Sequence, residues 1–199
     1  MFSTLKNAFK IKEIREKLLF TFLMLIVIRF GSQLPIPGVN RDYFSSWFEA
    51  QTGGAFNFFD AFTGGSFSRM SVFALNITPY ITSSIIMQLL TIAIPKLEEM
   101  QKDGEDGRKK IASITRYVTV ALALIESTAM AIGFGNQGLL QKYGPLEIIT
   151  VVAVLTAGSA FLMWIGERIT ERGVGNGISI VLVINIISRL PDDFAKLYE

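Results

Sequence analysis

The uncharged stretches of this chain constrain its fold more than any other feature. No Asp, Glu, Lys or Arg occurs from Met70 to Pro95, from Ile148 to Gly166 or from Gly173 to Ser188, and Leu18 to Leu34 carries only Arg29. Gaps of that length are what a bilayer tolerates and what a water-soluble surface does not supply. Composition agrees: 50% of the 199 residues are hydrophobic and only 18% charged, against about 25% charged in an ordinary globular domain. The sequence therefore predicts an all-α, polytopic membrane protein with five crossings, at 18–34, 76–94, 117–134, 148–165 and 175–190.

The same residues exclude chemistry. Cysteine and histidine are both absent, which removes disulfides, thiolate nucleophiles, imidazole bases and the commonest metal ligands. The expectation is a protein that is not an enzyme and carries no metal or cofactor. A net charge of +2 suits basic membrane loops, so no nucleic-acid partner is expected. Leu18–Ile28 is apolar after a basic segment but runs into Arg29 and Leu34-Pro35-Ile36-Pro37 without a small-residue cleavage site. It is expected to stay as an anchor.

Thirteen of the 19 Lys and Arg residues fall before the first span, between Lys96 and Arg116, and between Glu167 and Arg172. The positive-inside rule puts those segments and the N-terminus in the cytoplasm, and residue 199 outside. Residues 1–17 combine Lys6, Lys10, Lys12, Arg15 and Lys17 with Phe2, Leu5, Phe9 and Ile14. That pattern fits a cytoplasmic amphipathic helix lying on the membrane, with a frayed basic tail as the alternative. In the fourth span Ala153, Thr156, Ala157, Gly158 and Ala160 offer a face for close helix packing, and Trp164 suits an interfacial anchor. Arg29 lies near enough to a helix end to snorkel outward.

The second span is broken. Gly64-Gly65 interrupts the apolar run from Phe58 to Ile94, and Thr78-Pro79 interrupts it again. Thr before Pro is the pattern of a helix start, with Thr78 as N-cap and Pro79 at the first helical position. A helix from Pro79 to Ile94 has 16 residues, or about 24 Å, which is short of a bilayer core. The preceding residues must then reach membrane depth without being helical, which is tolerated only against protein or an aqueous cavity. Thr82, Ser83, Ser84, Gln88 and Thr91 are polar positions on this helix. They either bond to their own and neighbouring helices or border water, and the short span favours water. Glu126, mid-span in the third crossing, is the costliest residue inside any span and is expected to face a cavity or a partner. In Gly173-Val174-Gly175-Asn176-Gly177 the spacing is wrong for a dinucleotide loop and no strand precedes it, so a tight turn close to another backbone is the better reading.

Three motif runs carry a resemblance. Phe62-Thr63-Gly64-Gly65-Ser66-Phe67-Ser68-Arg69 followed by Ala74 to Leu90, Asp103 to Ile111 with Thr115-Arg116-Tyr117, and Glu171 to Ile180 resemble the SecY family, the channel subunits of the bacterial Sec protein translocase. The resemblance runs from about Lys17 to Pro191. It implies the first half of a ten-helix inverted-repeat fold whose two halves clasp a pore, with residues 191–199 as an external linker toward a second half. It implies an apolar pore ring at Ile77, Ile81, Ile178 and Leu182, the last standing where Ile is common. It implies a plug over 58–70, with Phe59, Phe62, Gly64, Gly65, Phe67 and Arg69, and a lateral gate with Thr82, Gln88 and Glu126, where the family more often has an uncharged residue than Glu126.

Implied partners are signal sequences, nascent or secretory polypeptides, the lipid bilayer, SecE and SecG. SecA or the ribosome would dock mainly through the second half. The implied setting is the bacterial plasma (inner) membrane. A homodimer of halves is a further possibility raised by the pseudo-symmetry. The alternatives are an ion-coupled small-solute transporter, which also uses broken helices, and a non-conducting half that only forms a symmetric assembly. By periodicity alone the four ring positions could equally be ordinary packing or lipid contacts.

Overall fold

The computed structural model describes residues 11–50, 55–140, 142 and 144–198, with 55–57 and 192–198 described by their backbone alone. The first ten residues of the expected amphipathic segment lie outside the described residues. Those described form helices α1 (Lys12–Gly31), α2 (Arg41–Ala50), α3 (Ala55–Thr63), α4 (Thr78–Ala93), α5 (Pro95–Lys102), α6 (Glu105–Asn136), α7 (Pro145–Arg172) and α8 (Gly177–Tyr198). The only extended pairings among them are two isolated bridges, Pro35 with Ser71 and Val39 with Leu140. The architecture is all-α.

Among the described residues, α6 and α7 each have the length and apolarity to cross a membrane, and α4 with α5, bent by 101° at their junction, makes a third candidate. The remaining two of the five expected crossings map to α1 and α8. Charges at Lys12, Glu13, Arg15, Glu16 and Lys17 occupy the first turns of α1, and the apolar part of α8 covers only Gly177–Pro191. No break separates residues 17 and 18. One helix runs through, supported at its start by the i,i+4 pairs Lys12–Glu16 at 3.9 Å and Glu13–Lys17 at 3.1 Å.

The distribution of polarity differs from a soluble protein's, because apolar side chains fill the core and also cover much of the surface. Large apolar side chains lie outside: Leu19, Phe22, Leu23, Ile26 and Phe30 on α1, and Ile85, Leu89 and Ile92 on α4. Small hydroxyls lie inside, with Ser71, Ser83, Thr119 and Ser127 fully buried. An exposed apolar surface of that extent needs lipid or a partner to cover it. Buried small polar residues are the usual means of bringing membrane helices together.

The chain divides into two compact units. One holds α1, α2, α3, the turns up to Ala74, the part of α7 from Phe161, and α8. At the end of α1 a Cβ on Gly31 would lie 2.2 Å from the Phe73 ring, so a larger residue there would displace that ring. Phe73 stacks on Phe161 and Phe161 on Trp164, while the Arg168 guanidinium sits 5.7 Å from the Trp164 ring centroid. Trp164 is thus held by stacking and a cation–π contact. One guanidinium nitrogen of Arg29, Nη1, is buried, while the residue as a whole is half-exposed.

The other unit holds 36–40, α4, α5, α6 and α7 up to Ala160. The Ser83 hydroxyl donates to the Thr115 carbonyl at 2.8 Å, joining α4 to α6, and Ser127 and Thr156 share a 3.0 Å bond joining α6 to α7. The bend between α4 and α5 follows from Pro95, which forces Ile94 out of the helical region (φ −111°, ψ 111°) and then begins α5. The backbones of α5 and α6 approach so closely that a Cβ on Gly107 would lie 1.7 Å from the Met100 carbonyl oxygen.

Candidate functional site

The segment between α3 and α4 is built from turns because its residues cannot continue either helix. Gly64 and Gly65 stop α3 by adopting left-handed conformations, φ +65° and +78°. Met70 and Asn76 also have positive φ, 43° and 53°, a strained backbone for a residue like Met70. Non-helical backbone therefore precedes α4, as its length requires.

This segment is pinned at several points. Phe67 is fully buried, edge-on to Phe44, Phe48 and Phe59 at centroid distances of 5.9, 5.9 and 5.2 Å. Arg69 donates to the Gln33 side chain at 3.1 Å, and Val72 N donates to the Leu34 carbonyl at 3.0 Å. A Cβ on Gly64 would lie 2.6 Å from the Asn185 carbonyl oxygen of α8. Phe62 is exposed, in edge contact with Phe58 at 4.7 Å.

Asp60 and Arg189 form a buried ion pair, Arg189 Nη1 donating to Asp60 Oδ2, with side-chain exposures of 3% for Asp60 and 19% for Arg189. The other carboxylate oxygen accepts from Ser68 N at 2.8 Å. Sequence reasoning missed this pair. The available signal was a single acid in the apolar run 55–68 and a single base in α8 before Pro191, each too costly to bury alone.

Of the expected ring residues, Ile77 is fully buried, while Ile81, Ile178 and Leu182 are half-exposed. Ile77 and Ile81 belong to one unit, Ile178 and Leu182 to the other. The start of α4 differs in one respect from the sequence expectation. Thr78 is the first helical residue and makes no capping bond; Ile77 is the cap, its carbonyl accepting from Tyr80 N and Ile81 N at 3.1 Å. Pro79, which has no N–H to satisfy, removes the need for a side-chain acceptor there.

At α8 the Asn176 side chain caps the helix, accepting from Ile178 N at 3.0 Å and Ser179 N at 3.4 Å. The turn before it is as tight as the glycines imply. A Cβ on Gly177 would lie 2.0 Å from the Gly166 carbonyl oxygen, Gly175 has φ +71°, and Thr21 Oγ1 accepts from Val174 N at 3.1 Å.

The gate candidates are not gathered at one point. Gln88 lines a cavity of about 280 Å³ with Ser84, Thr91, Gln101, Arg108 and Thr115. Thr82 and Glu126 are half-exposed and lie outside its walls. Thr91 keeps its hydroxyl on its own helix, donating to the Gln88 carbonyl at 2.7 Å.

The family model SecY matches residues 71–199. Proteins named protein translocase subunit SecY are similar over nearly the whole chain: from Halalkalibacterium halodurans (45% identical, 100% of this chain, 46% of the relative), Bacillus subtilis (44%, 100%, 46%) and Pseudomonas aeruginosa (44%, 95%, 43%). The chain thus spans a little under half the length of these relatives. Two solved structures share the fold at 21% identity and a TM-score of 0.61, covering 88% of this chain and 36% of theirs: Sec61 in the canine ribosome-channel complex from the endoplasmic reticulum, and a structure described as a protein conducting channel.

Proposed function

Because the chain belongs to the SecY family, we propose that it forms the N-terminal half of a channel that passes unfolded polypeptides across the bacterial plasma membrane and releases membrane segments into lipid. The observation that carries this reading is 45% identity to a SecY subunit along 100% of the chain. The non-helical segment leading into the short helix α4 supports it.

In this reading Ile77, Ile81, Ile178 and Leu182 contribute to a narrow apolar ring. Branched apolar side chains can fit around an extended peptide while giving a hydrated ion nothing to bind, so the ring limits leakage by dewetting. Residues 58–70 serve as the plug, and Phe59, Phe62, Gly64, Gly65, Phe67 and Arg69 shape it. Thr82, Gln88 and Glu126 belong to the lateral gate. The chain acts as a passive conduit, not a catalyst. Its partners are signal sequences, secretory and nascent polypeptides, SecE and SecG, with SecA or the ribosome engaging mainly the part of the relatives that this chain does not cover. The N-terminus is cytoplasmic and residue 199 external.

The test is resting ion leak through vesicles carrying the complete channel. Replacing Ile77 and Ile81 by Gly widens the ring and raises leak several-fold over the unsubstituted channel. Unchanged leak would remove these residues from the ring.

A further inference from the structure

We propose that Asp60 and Arg189 are positioning residues that latch the plug segment to α8, so that the seal is released by breaking one buried ion pair. The proposal rests on the reading of 58–70 as the plug. Asp60 joins three elements through one carboxylate: it stands on α3, it accepts from Ser68 N across the Gly64-Gly65 turn at 2.8 Å, and it pairs with Arg189 on α8. Nearby, the turn presses its backbone on α8 at Asn185 and Ser188, where only a glycine fits. The Phe67 cage draws on α2 and α3, so it adds nothing to the hold on α8.

The placement on α8 gives the latch an input. Ile178, Leu182, Asn185 and Arg189 are spaced i, i+4, i+7 and i+11, which puts them on one stripe of the helix. The two ring candidates of this helix and the latch cation therefore share a face, about 16 Å apart along a single rigid rod. A polypeptide that displaces Ile178 and Leu182 moves Arg189 with them. Parted from Arg189, a carboxylate as buried as Asp60 is costly to leave in place and is driven toward water, carrying the turn away from α8.

The absence of cysteine makes a clean assay. Ser66, buried within the turn, is replaced by Cys, and the rate of maleimide labelling is measured in the membrane-embedded protein. We expect Asp60→Asn and Arg189→Gln each to speed labelling at least about tenfold, and the double substitution to be slower than the faster single one, because it leaves no uncompensated charge. A second reporter, Ala123→Cys, lies fully buried in the other unit and should stay slow throughout. Unchanged labelling at position 66, multiplicative effects in the double variant, or equal acceleration at position 123 would each overturn the latch. The channel reading is judged separately by leak through the Ile77→Gly, Ile81→Gly ring: raised leak without accelerated labelling removes the latch alone, and accelerated labelling without raised leak removes the ring alone.

Discussion

Gly64 and Gly65 are adjacent and share the left-handed backbone, yet they are constrained for different reasons. At Gly65 a Cβ would meet nothing closer than the Arg69 guanidinium at 3.9 Å, whereas at Gly64 it would strike the Asn185 carbonyl at 2.6 Å. Gly65→Ala should therefore cost only the backbone penalty, roughly 1–2 kcal/mol. Gly64→Ala adds a collision worth about 1–3 kcal/mol more. Thermal unfolding in mild detergent should rank the two, with Gly64→Ala distinctly lower in Tm; equal Tm values would contradict the packing of this turn on α8. The order matters for function, since it separates a glycine that allows the turn from one that allows its seat.

At the scale of elements, the return from α5 into α6 depends on Gly107. Its missing side chain lets the Met100 carbonyl approach to 1.7 Å from where a Cβ would be. Gly107→Ala should push α5 off α6 and expose the junction after Lys102. Trypsin cleavage there is expected to quicken about tenfold, a gain in local opening of about 1.4 kcal/mol. Unaltered cleavage would mean that α5 is held elsewhere. Elsewhere in this unit two hydroxyl bonds, Ser83 to Thr115 and Ser127 with Thr156, add to the packing of the helices, each worth about 0.6 kcal/mol in a membrane.

How much of this could be read beforehand depends on the range of the interaction. The start of α4 was legible because Pro79 acts locally: it fixes its own φ and lacks an N–H, and α4 begins within a residue of the expected place. The tight turn before α8 was legible for the same reason, from three closely spaced glycines. The role of Thr78 was misjudged. The carbonyl of Ile77 already accepts the first amide bonds of α4. The Asp60–Arg189 pair joins positions 129 apart in sequence, and the Ser83 bond ends on a backbone carbonyl that every residue has. Neither leaves a pattern in spacing.

For the whole molecule, the apolar exterior, the broken α4–α5 pair and membership of the SecY family support one proposal: that this chain lines part of a path for an unfolded polypeptide. Contact between the proposed ring positions and a polypeptide in transit tests that proposal most directly. With no native cysteine, single cysteines at Ile81, Ile178 or Leu182 can be offered to a secretory polypeptide arrested midway through the complete channel and carrying its own single cysteine. The account predicts disulfide cross-links from these positions and none from Leu19 or Leu146, which lie on the apolar exterior. Cross-linking that is absent at all three ring positions, or no stronger there than at Leu19 and Leu146, would contradict it.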